Sequence, residues 1–96
     1  MRPHGRVDAN QAEIVQALRS VGAGVCSLAD LGHGVPDLLV CYRRHLYLVE
    51  VKAGRGTLTP DEREWHARWP GPIYTVRGIE DTLRVVGVDL TEESAK

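Results

Sequence analysis

Apolar residues at Ile14, Val15, Leu18 and Val21 fall on one stripe of a helical wheel and predict an amphipathic helix over residues 9–21. Asp8 stands before it as an N-cap, Gln11 completes a capping-box pattern three positions on, and Gly22 and Gly24 end the run. The seven residues ahead of Asp8 read as a flexible, mildly basic start. Residues 24–28 predict a short strand, and 29–34 a glycine-bearing loop that leads to Pro36. That proline fixes its own φ and pushes Val35 toward extended geometry, so Asp37 enters the next strand from a stiff approach.

Residues 35–52, VPDLLVCYRRHLYLVEVK, then read as two strands joined by a tight turn at Arg43-Arg44. Leu38, Val40, Tyr47 and Val49 line one face of this hairpin, and Leu39, Cys41, Leu46 and Leu48 the other. Strands apolar on both faces are normally central and covered by helices on both sides. A basic, Gly-rich loop bearing Arg55 follows. Thr59, Pro60, Asp61 and Glu62 then predict a helix start, with N-cap, first-position proline, acids in the first turn and a closing capping-box glutamate. This second helix runs to about Arg68, and Trp65 and Trp69, four apart, read as core aromatics. Pro70-Gly71-Pro72 breaks it, residues 73–76 predict a fourth strand and 78–86 a last helix, and the polar tail over 91–96 reads as frayed. The connection from the third strand to the fourth crosses over through a helix, which implies an α/β layer with a mixed sheet.

The hairpin also carries the candidate chemistry. With a two-residue loop, or a four-residue loop from Tyr42 to His45, Tyr42 faces His45 and Asp37 lies across from Glu50 on one sheet face. A three-residue bulged loop would part the acids, and Arg-Arg is not the Asn-Gly type of pair that a two-residue turn favours. Facing carboxylates about 5 Å apart repel unless one is protonated or a cation lies between them. Lys52, two residues after Glu50, joins the same face. Oxygen ligands from two strands suit Mg²⁺ or Mn²⁺, and the ammonium beside them could orient a water or stabilise charge on a phosphate. Metal-assisted phosphodiester hydrolysis fits this set; the bland alternative is a structural Glu50–Lys52 ion pair. Glu13 flanks the apolar stripe of the first helix, where it could lean toward the sheet or stay solvated. His33 reads as an exposed loop histidine near the site, and His66 has no visible partner.

Composition narrows the picture. Ninety-six residues, 43% hydrophobic and 26% charged, make one soluble domain over 1–96. No run approaches a membrane span and the start lacks the apolar core of a signal peptide, so a cytoplasmic protein is expected. Cys26 and Cys41 lack metal-ligand spacing and read as buried free thiols. The net charge of −1 does not advertise a polyanion binder, although Arg43, Arg44 and Arg55 are plausible phosphate contacts.

Val35-Pro36-Asp37, then a twelve-residue gap, then Glu50-Val51-Lys52 resembles the PD-(D/E)XK nuclease superfamily, and within it the small stand-alone VRR-NUC nucleases of phages and bacteria. The resemblance spans roughly residues 7–87 and takes in DANQAEIVQALR, GHGVPDLLV, LYLVEVK, LTPDEREWHARW and YTVRGIEDTL. It implies a three-layer α/β/α, restriction-endonuclease-like core with a mixed four-stranded sheet, and Mg²⁺- or Mn²⁺-dependent cleavage of DNA, often branched, flapped or junction DNA, as in DNA repair. By position, Asp37, Glu50 and the Val51 carbonyl resemble the metal ligands and Lys52 the catalytic lysine. Glu13 resembles the family's first-helix acid, with Asp8 as the rival. Glu62 stands where such proteins frequently carry glutamine. The resemblance further implies a homodimer in a bacterial or phage-infected cell, with neither membrane nor organic cofactor. The rival reading is a catalytically inactive nuclease-fold module that binds nucleic acid or a replication or repair partner; an ordinary α/β interaction domain is a third.

Overall fold

The computed structural model describes residues 4–90, with side chains from residue 9 onward. The chain runs α1 (His4–Ser20), β1 (Gly24–Ser27), a 3₁₀ turn (Ala29–Leu31), β2 (Leu38–Tyr42), β3 (His45–Val51), α2 (Pro60–Arg68), β4 (Tyr74–Val76) and α3 (Ile79–Val85). The sheet order is β1-β2-β3-β4, antiparallel except for the parallel β3–β4 pair that α2 makes possible. The α/β class and mixed four-stranded sheet are those expected.

Helix α1 begins at His4, so Asp8 lies inside it and is not its N-cap, and residues 4–7 are helical. The Asp8 side chain and the tail over 91–96 lie outside the described residues. The helix ends where Gly22 takes φ +93°, a conformation costly for any residue with a Cβ. Its N–H reaches the Arg19 carbonyl and the Ala23 N–H reaches Leu18, the paired bonds of a Schellman stop. Gly87 ends α3 in the same way, with bonds to Arg84 and from Val88 to Leu83.

Ile14 and Leu18 of α1 pack with Leu38, Val40, Val49, Val51, Val76, Leu83 and Val86 into one core. That core explains the hairpin register: Leu38 pairs with Val49, Val40 with Tyr47 and Tyr42 with His45, and a one-residue slip would turn this set to solvent. Arg43 and Arg44 adopt φ +52° and +73°, so the two-residue turn forms although neither residue favours it. Burial of the strands determines the turn, and the local preference loses.

The opposite sheet face departs from expectation. Helix α2 buries none of its residues, and Leu28, Val35, Leu39, Leu46, Leu48, Trp65 and Trp69 line an open apolar hollow of about 460 Å³. Leu46 is 68% exposed. Trp65 and Trp69 stack with ring centroids 4.8 Å apart on the rim of this hollow rather than in the core. Cys26 and Cys41 are exposed free thiols, because their strand positions point to this uncovered side. A two-sided apolar pattern indicated two covers, but one nine-residue helix is too short to cover a four-stranded sheet. Among the described residues no helix is long and apolar enough to cross a membrane.

Candidate active site

Asp37 sits at the mouth of β2, held by its backbone as much as by its side chain. Pro36 before it is buried, and the Asp37 carbonyl accepts the Leu28 N–H at 2.8 Å. Counting outward from the Leu38–Val49 pair places Asp37 opposite Glu50, the register read from the hairpin. Its Oδ2 accepts the Val51 backbone N–H at 2.8 Å.

Glu50, 1% exposed, is among the few buried polar residues. Burial, then a hydrogen bond with Asp37 and the negative charges of Asp37 and Glu62, push its carboxyl up to about 9, with Lys52 pulling the other way. Its Oε1 lies 3.4 Å from His66 Nε2, and its Oε2 lies 4.0 Å from Lys52 Nζ. Lys52 Nζ donates to Glu62 Oε1 at 2.6 Å. Burial alone would raise the Glu62 carboxyl, but hydrogen bonds from Lys52 and from the Thr59 backbone outweigh it and hold the group below the usual carboxylate range. Glu50 therefore lies among Asp37, Lys52 and His66, and Glu62 binds the Lys52 ammonium.

This donor set fits a divalent cation. Two acids forced together in a buried place, one of them driven to hold a proton, form a pair that a cation would discharge. Among the described residues no group of three His, Cys, Asp and Glu side chains converges closely enough to hold an ion, so a cation between Asp37 and Glu50 would need further ligands from backbone carbonyls or water.

The remaining candidates lie around this centre or away from it. Glu13 is exposed and lines a shallow hollow with Asn10, Ala53, Gly54 and Arg77, next to the end of β3. Arg55 is exposed in the adjacent loop, which Arg77 holds by donating to the Gly54 and Gly56 carbonyls at 2.9 and 2.8 Å. Arg43 and Arg44 occupy the far tip of the hairpin, since five residue steps along β3 separate His45 from Glu50, roughly 17 Å. His33 is exposed beside Asp61, Glu64, Trp65 and Arg68.

Three residues and one contact go beyond the sequence reading. His66 reaches Glu50, Glu62 reaches Lys52, and the Asn10 amide donates to the carbonyls of Lys52 and Arg77 at 3.2 and 3.1 Å. Arg77 braces the loop after β3. Glu62 was visible as the capping-box glutamate but not as a partner of Lys52, and His66, four residues after Glu62, shares its helix face.

No family model and no curated protein matches this sequence. Among solved structures, a VRR_NUC domain superposes with a TM-score of 0.69 at 23% sequence identity, covering 84% of this chain and 94% of that chain. The helices, the sheet and the hairpin that bears Asp37 and Glu50 thus form the fold of a VRR_NUC domain.

Proposed function

We propose that this protein is a Mg²⁺- or Mn²⁺-dependent DNA endonuclease of the PD-(D/E)XK type, selective for branched, flapped or junction DNA. The observation that carries the reading is the convergence of Asp37, Glu50 and Lys52 at one end of the hairpin, with Glu50 buried against Asp37. A structural ion pair needs one acid; a second carboxyl group forced against the first is costly and calls for a cation.

Asp37 and Glu50, with the Val51 carbonyl, would hold the metal, which when bound supplies a Lewis acid for the scissile phosphate and a water of lowered pKa. Asp37 keeps one oxygen tied to the Val51 N–H, so its other oxygen is presented in a fixed direction. Lys52, 14% exposed, stands at the solvent edge of the site, where its ammonium orients the attacking water or stabilises charge on the phosphate. Glu13, on the helix whose Asn10 donates to the Lys52 carbonyl, would support the metal site from its rim. Arg55, exposed in the loop that follows Lys52, would contact a phosphate next to the cut, whereas Arg43 and Arg44 would meet DNA a hairpin's length away.

The open apolar sheet face supports a homodimer, with a second copy covering it and two sites facing two strands. The substrate and metal assignment is tested by cleavage of labelled linear, flapped and four-way-junction DNA with Mn²⁺, Mg²⁺ or EDTA. Wild type cuts only with metal and Asp37→Ala does not cut; a folded, metal-binding wild type that cuts nothing would favour the non-catalytic binding module instead.

A further inference from the structure

We infer that Glu62 is the positioning residue for Lys52, a role that rests on the reading of Lys52 as the catalytic lysine. One oxygen, Glu62 Oε1, accepts two hydrogen bonds: from the Thr59 backbone N–H at 2.9 Å and from Lys52 Nζ at 2.6 Å. The first ties the carboxylate to the backbone at the start of α2; the second passes that fixed position on to the ammonium. A lysine ammonium on its four-carbon stem is otherwise free to rotate among many positions. Glu50 does not hold it, because its Oε2 is 4.0 Å away. The capping box of α2 thus does two jobs with one side chain, since an ordinary box needs only the Thr59 and Glu62 contacts.

The start of helix α2 is itself seated against the loop that leads to Asp37. Gly34 takes φ +85°, and a Cβ there would run into the backbone carbonyl of Asp61. The loop leading to Asp37 and the helix start bearing Glu62 are therefore packed in one register, so the same contact places both the acid and the lysine.

The test compares Glu62→Ala, Glu62→Gln and Thr59→Ala in the full chain. Thr59→Ala loses the cap hydroxyl but keeps the backbone N–H that anchors Glu62, so it reports the cost of a weakened helix start alone, a melting point lower by roughly 5 °C. Glu62→Ala is expected to lower kcat for DNA cleavage by about 10- to 100-fold with little change in KM. Glu62→Gln, whose amide oxygen can accept both bonds, restores most of that loss, and Thr59→Ala stays within about threefold of wild type. A readout without activity accompanies these: the slowly exchanging ammonium resonance of Lys52 in ¹⁵N-labelled protein, present in wild type, Glu62→Gln and Thr59→Ala and lost in Glu62→Ala. Equal falls in kcat for Glu62→Ala and Thr59→Ala, or a Lys52 resonance that survives Glu62→Ala, overturn the proposal. An inactive wild type whose Lys52 resonance still depends on Glu62 supports the positioning and removes the nuclease reading.

Discussion

Asp37 Oδ2 accepts the backbone N–H of Val51 at 2.8 Å, so the first acid of the site is tied to the strand that carries the second. The two strand ends cannot separate without breaking a bond between a carboxylate and a partly buried N–H, the stronger class of hydrogen bond. Substitution at Asp37 therefore divides structure from chemistry. Asp37→Asn keeps an oxygen for Val51 and removes a charge next to Glu50; the metal-free protein should melt at or above the wild-type temperature. Metal-dependent cleavage should fall by at least about 100-fold, and calorimetry beside a cleavage assay checks both halves.

Glu50 supplies a pH dependence with a definite sign. Its folded carboxyl titrates near 9, chiefly through burial and then through Asp37, against an ordinary value of 4.5. Because the folded value is raised, the folded state binds this proton more tightly than the unfolded chain does. The resulting stabilisation is complete below about 4.5 and is lost as pH climbs through 9. In EDTA, the melting temperature of wild type relative to Glu50→Gln should fall steadily across that window. Added Mn²⁺ competes with the proton, so its stabilisation of wild type should be greater at pH 8 than at pH 6 and absent in Glu50→Gln.

Leu46 stands 68% exposed on the uncovered sheet face, beside the hollow bounded by Trp65 and Trp69. A charge placed there should leave the monomer core intact, since Leu46 contributes nothing to the packing of Ile14, Leu18 and their partners. Sedimentation velocity should give a dimer for wild type and a monomer for Leu46→Glu, with melting temperatures of the monomeric cores within about 2 °C.

The Arg43-Arg44 turn holds two branchless but Cβ-bearing residues at positive φ. Each costs about 1–2 kcal/mol relative to a residue at ease in that conformation. Because glycine also loses more chain entropy on folding, replacing the pair with Asn-Gly should recover part of this, roughly 1–2 kcal/mol in urea denaturation, with no change in the site, which lies at the other end of the hairpin. A cut in DNA binding without loss of metal binding in the same variant would assign these arginines to the DNA.

Much of this molecule was legible along the chain. Asp37, Glu50 and Lys52 could be placed on one face because a strand repeats every second residue and the burial of Leu38, Val40 and Val49 allows one register. The start of α2 was legible for a similar reason, as Thr59, Pro60 and Glu62 act on the backbone within four residues of themselves. Helix α1 was misjudged at its start because nothing local obliges a helix to begin at Asp8 once its later turns are anchored by Ile14 and Leu18.

What the sequence by itself determined, then, was the set of contacts made within one hairpin or one helical turn: the acid pair, the lysine beside it and the cap. Tertiary structure alone decided what reaches that set from elsewhere. His66 meets Glu50 across 16 residues and Asn10 meets the Lys52 carbonyl across 42, distances over which no periodicity carries information. It also decided that the second sheet face stays open and that Cys26 and Cys41 are exposed on it, because an apolar pattern states which surfaces seek burial and leaves unstated whether the chain is long enough to bury them.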